Sequence, residues 1–140
     1  MQRIVVAANV EADQPWVADA AAQLANETGA QVAVVSVDEL ETEKLSPLPR
    51  DEYRARAEEA ATRVVERLVA QGVNAERAVR SGRALEEIIA FADEQNADLI
   101  VAGASARGRL ASALLGSVPL GLVRRAGRPV LVVTEPSQAQ

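Results

Sequence analysis

Two small-residue positions stand thirteen residues apart in the last third of the chain. Gly103 closes the apolar run Leu99 to Ala102, and Gly116-Ser117 precedes a second periodic segment, Val118, Leu120, Leu122 and Val123. The stretch between them begins GASARG, whose small side chains let a backbone approach a ligand closely. Ser117 is an expected N-cap, with Pro119 preset for the first helical turn. A helix start preceded by glycine leaves unpaired N–H groups at the positive end of the helix dipole, and that chemistry suits a phosphate. Arg107, Arg109, Arg124, Arg125 and Arg128 lie in the same third, whereas the first third is acidic. Cations near a helix C-terminus are favoured in any case, so the last three of these arginines are equally explained as solvated helix ends.

Composition closes much other chemistry. The chain has no Cys, which excludes thiolate metal sites, disulfides and cysteine nucleophiles, and no His, the usual general base near neutral pH. A net charge of −5 argues against general affinity for nucleic acid or anionic membranes. No apolar run approaches the roughly 18 residues of a membrane span, and the N-terminus lacks the pattern of a signal peptide, so a cytoplasmic protein is expected. The 140 residues suit one domain, with 136–140 as a polar tail. Only Trp16, Tyr53 and Phe91 are aromatic, so the core must be Ala, Val, Leu and Ile.

The elements that must hold the loop follow from periodicity. Arg3 to Ala8 is a short apolar run ending at Asn9 and reads as a buried strand. Trp16, Val17, Ala20, Ala21, Leu24 and Ala25 recur at helical spacing, giving a helix from Asp13, its expected cap, to Thr28, with Gly29 as the stop. Gln31 to Val37 is a second strand, leading into an acidic loop from Asp38 to Lys44. Arg50 to Gln71 carries one apolar stripe opposed by Glu58, Glu59, Arg63, Glu66 and Arg67, a long amphipathic helix whose polar face is assigned no chemistry. Val73 to Arg80 alternates as an edge strand, Ser81-Gly82-Arg83 is a turn, and Ala84 to Gln95 is a helix. Pro129 to Thr134 is the last strand. The alternation of strand and helix implies a parallel sheet with helices on both faces, whose ligands sit beyond the carboxyl ends of the strands.

With these residues in place, the whole chain resembles the universal stress protein family. The specific match is the family's nucleotide signature of glycine, two residues, glycine, nine residues, glycine, then serine or threonine. Here it runs Gly103, Ala104-Ser105, Ala106, Arg107 to Leu115, then Gly116 and Ser117. IVVAAN, ADLIVAG, GSV and RPVLVV support it. The resemblance implies a single doubly wound α/β domain, with a five-stranded parallel sheet of order 3-2-1-4-5. It implies ATP or AMP at Ala8, Asn9, Val37, Gly103, Ala106, Arg107, Gly116, Ser117 and Val118. Mg²⁺ would accompany ATP through its phosphates rather than in a dedicated metal site.

Two positions depart from the family pattern. Asn9 replaces the usual aspartate, removing a negative charge near the phosphates while keeping hydrogen bonds. Ala106 replaces the second glycine, at a cost of roughly 1–2 kcal/mol if that position needs positive φ. Asn9 is also explained as a turn cap, Val37 as core, and Arg107 as a solvated loop residue. The resemblance further implies a homodimer through the last strand, Val130, Leu131, Val132 and Val133, and an unidentified protein partner. The expected role is a stress-response sensor or regulator without enzymatic activity. A dimeric interaction module that binds no nucleotide is the alternative, and a slow ATPase the second.

Overall fold

The computed structural model describes residues 1–39, 49–104 and 116–136. Among the described residues five strands and four helices alternate: β1 (Arg3–Ala7), α1 (Pro15–Thr28), β2 (Gln31–Glu39), α2 (Arg50–Ala70), β3 (Ala75–Gly82), α3 (Ala84–Gln95), β4 (Leu99–Gly103), α4 (Ser117–Arg125) and β5 (Val130–Val133). All strand pairs are parallel, in the order β3-β2-β1-β4-β5. The expected doubly wound sheet is therefore the fold.

Strand alternation explains how so aliphatic a chain builds two cores. Ile4, Val6, Val32, Val34 and Val101 face α1 and α2, meeting Ala18, Ala21, Ala22, Ala61 and Leu68. Val5, Ala33, Val35, Val37 and Ile100 face the other way, onto Ile88, Phe91 and Ala92 of α3 and Leu122 of α4. Alanines at the contact faces of α1, α2 and α3 let those helices lie close to the sheet without aromatic bulk. No helix among the described residues is long and apolar enough to cross a membrane.

Four boundaries differ from those expected. Helix α1 is capped by Gln14 with Pro15 at its first turn, not by Asp13, and the Gln14 side chain makes no capping bond. Asp13 is exposed and lies 3.9 Å from Arg63 instead. Strand β2 continues through Asp38 and Glu39, which composition had given to a loop. Strand β3 is shifted toward the C-terminus, and Ser81 and Gly82 belong to it rather than to a turn. One cause serves both shifts: Asp38 pairs with Ser81 and Glu39 with Gly82, so each strand extends because its neighbour does. At α4 the cap is Gly116, and Ser117 is the first helical residue.

Candidate functional site

An open groove of about 680 Å³ runs across the carboxyl ends of the strands. One end is built from β2, the middle from the end of β1, and the other end from β4 and the start of α4. Strands lie roughly 4.8 Å apart, so the β2 and β4 ends are separated by about 10 Å. Ala8, Asn9, Val37, Gly103, Ser117 and Val118 all line this groove, and Gly116 immediately precedes its α4 edge. Ala106 and Arg107 lie outside the described residues.

The α4 end is shaped for an anion. Gly116 has φ 83° and ψ 161°, a conformation open essentially to glycine alone. That kink turns the chain directly into the helix, with no side-chain cap and no acidic residue in the first turn. Helix geometry leaves the N–H groups of Ser117 and Val118 without intrahelical acceptors, and Pro119 has none to offer. Leu120 N–H is already bonded to the Gly116 carbonyl at 3.2 Å. The start of α1 likewise has no side-chain cap and no acid in its first turn, whereas those of α3 and α2 are differently occupied. The Ala84 N–H of α3 donates to Glu39 Oε1 at 3.2 Å, and α2 carries Asp51 and Glu52 in its first turn. The positive end of α4 thus faces the groove without a carboxylate of its own element to offset it.

Two expected ligand residues have structural work to do. Asn9 Oδ1 accepts the N–H groups of Glu11 at 2.8 Å and Ala12 at 3.0 Å, closing the turn between β1 and α1. Its amide N–H₂ remains as the donor available to a ligand. Gly103 is glycine because α1 comes too close for anything else. A β-carbon there would lie 2.8 Å from Gln14 Cδ and 2.8 Å from Val17 Cγ2.

The base of the β2 end is apolar, formed by Val37, Ala84 and Ile88, and beside it lies Asp38. The Asp38 side chain is fully buried, 3.1 Å from Arg50 Nη2, yet neither carboxylate oxygen has a hydrogen-bond partner. The contact with Arg50 is therefore one of charge rather than an aligned bond. Arg50 Nη2 also donates to Ser81 Oγ at 2.9 Å, which ties the start of α2 to the edge strand.

A further wall escaped the sequence reading. Tyr53, Arg56, Glu59 and Arg63 of α2 line the groove, with Arg56 stacked 6.0 Å over the Tyr53 ring and Arg63 paired with Glu59 at 3.1 Å. Their spacing of three, three and four residues places them on one helix flank, and that was the available signal. Such a flank looks like any solvated face until packing decides which side of α2 borders the groove.

The model of the universal stress protein family matches residues 1–134. A universal stress protein of Methanocaldococcus jannaschii is 34% identical over 96 residues, a match spanning 69% of this chain but 54% of that relative. The chain thus spans about half the length of that curated relative. A universal stress protein structure from Archaeoglobus fulgidus in complex with dAMP superposes with a TM-score of 0.70 at 27% identity, covering 94% of this chain and 97% of that one. A universal stress protein in complex with cAMP gives 0.72 at 24% identity, covering 96% and 98%, which supports the fold. Signature, sheet order and family match agree: the chain belongs to the universal stress protein family.

Proposed function

We propose that the groove binds an adenine nucleotide, ATP or AMP, and that the protein acts as a stress-response sensor or regulator in the cytoplasm rather than as an enzyme. The observation that carries this reading is the uncapped start of α4, where Ser117 and Val118 line the groove together with the apolar residues Val37, Ala84 and Ile88. The groove suits a nucleotide with its phosphate on α4, its ribose near the Asn9 amide and its base against Val37 and Ile88. The complex of the A. fulgidus relative with dAMP supports the ligand class. With ATP, Mg²⁺ would enter on the phosphates. Ligand contact with the start of α4 would bias the surface that a protein partner reads.

The reading includes a homodimer through β5. Among the described residues this strand pairs only with β4, and Leu131 is 37% exposed on it, an apolar edge that a second copy would cover.

One specific observation favours the alternative of an interaction module without nucleotide. Gly103 and the Asn9 oxygen are both explained by the fold alone.

Calorimetric titration of nucleotide-stripped protein with AMP, and with ATP in the presence and absence of Mg²⁺, decides between the two. Saturable binding at micromolar affinity that is lost on Gly116→Val, with the melting transition still cooperative, is the expected result. Absence of heat and of any thermal shift up to millimolar nucleotide would overturn the nucleotide reading in favour of the interaction module.

A further inference from the structure

Glu39 closes β2 with a carboxylate placed by strand parity. Successive side chains of a strand point to opposite faces, so Val37 and Glu39 share the side on which Val37 packs with Ile88 of α3. Asp38 stands between them and points the other way, paired with Arg50 of α2 and closed off from any ligand. Glu39 is only half-buried, and its side chain lines the groove. Its Oε1 accepts the Ala84 N–H at 3.2 Å, which pins the carboxylate beside the start of α3. The apolar residues Val37, Ala84 and Ile88 and this acid therefore meet at one end of the groove.

Capping α3 does not exhaust such a group. A carboxylate offers about four lone-pair positions and no donor, and one backbone N–H occupies one position. The side chains of Val37, Ala84 and Ile88 have no hydrogen bonds to give, so polarity beside them is set by Glu39. Its charge also turns a phosphate away from this end, toward the start of α4. A nucleotide held that way round, with its base against Val37 and Ile88, presents the edge of the base to Glu39. We infer that the Glu39 carboxylate reads the base, accepting the exocyclic amino group of a 6-aminopurine and disfavouring a 6-oxopurine. An amino group brings an N–H that the carboxylate can accept. A carbonyl in the same place would set two acceptors against each other. A polar group so placed discriminates more strongly than an apolar slot does by shape.

The inference rests on the nucleotide reading above, and its test separates the two. Wild-type protein is titrated with AMP, with purine riboside 5′-monophosphate, which lacks the amino group, and with IMP, which carries a carbonyl in its place. AMP is expected to bind at least about tenfold more tightly than either. Glu39→Gln keeps an oxygen for the Ala84 N–H and turns an amide N–H₂ to the ligand. The preference for AMP should then fall to within about threefold, with IMP gaining affinity. A gain for IMP is a result that loss of structure cannot produce. Equal binding of the three by the wild type, or an unchanged preference in Glu39→Gln, would overturn the role of Glu39 and leave the nucleotide site standing. Failure of all three to bind would overturn the nucleotide reading and this inference with it.

Discussion

The side-chain amide of Gln14 occupies the space that a β-carbon on Gly103 would need, while its Nε2 donates to the Ala104 carbonyl at 3.0 Å. The first turn of α1 is thereby locked to the exit of β4, where the signature segment begins. This close approach, and not a left-handed backbone, is what requires glycine at position 103. Gly103→Ala should destabilise the fold by about 1–3 kcal/mol through overpacking against Gln14 and Val17. Gln14→Ala should cost about 1–2 kcal/mol by leaving the Ala104 carbonyl without its donor. Combined, the two should cost less than their sum, because removing the Gln14 side chain makes room for the new methyl. Denaturant unfolding of the four proteins measures this coupling, and strict additivity would refute the contact.

At the other side of the groove, Ser117 allows a test in which stability and binding move in opposite directions. It is exposed and is the first residue of α4. Ser117→Asp should stabilise the fold by about 0.3–1 kcal/mol, since a carboxylate complements the positive end of the helix dipole. The same charge should weaken AMP binding at least severalfold by repelling the phosphate. Thermal melts and titrations on one preparation give both signs, and unchanged AMP affinity would remove the phosphate from α4.

Acid sensitivity should follow in part from Asp98. Its carboxylate accepts the N–H groups of Gln2 at 2.6 Å and Arg3 at 2.8 Å, and these bonds hold its pKa below the ordinary value of 3.8. A depressed folded pKa means that the stabilisation is present above the ordinary value and is lost as pH falls through the folded one. An asparagine keeps an acceptor but cannot titrate. The stability advantage of wild type over Asp98→Asn should therefore be largest at neutral pH and shrink below about pH 4. Urea unfolding at pH 7 and pH 3 checks the sign.

Oligomerisation can be tested at Leu131. Leu131→Lys places a charge on the exposed face of an edge strand, where lysine is tolerated in a monomer but opposes edge pairing. Sedimentation should shift from dimer toward monomer, with the melting temperature changed by only a few degrees. A wild-type chain that sediments as a monomer would overturn the β5 interface.

Sequence alone determined the parts of this protein that depend on local rules. Apolar runs such as IVVA and VAVVSV had to be strands buried on both faces, and the strand and helix alternation left a parallel sheet as the economical way to cover them. The spacing from Gly103 to Gly116-Ser117 pointed to a phosphate loop, the family resemblance added Ala8, Asn9, Val37 and Val118, and these residues and Ser117 line one groove. Tertiary structure decided what depends on neighbours distant in the chain. Asp38 looked like loop because acids are rarely buried, yet pairing of β2 with Ser81 on β3 carried it inside the sheet. Gly103 looked like a ligand-approach glycine, and the Gln14 side chain of α1 gave it a packing reason. The α2 flank from Tyr53 to Arg63 looked like any solvated stripe, because helical periodicity shows which residues share a face but not what that face meets. Only the docking of α2 against β2 turned that stripe into a wall of the groove.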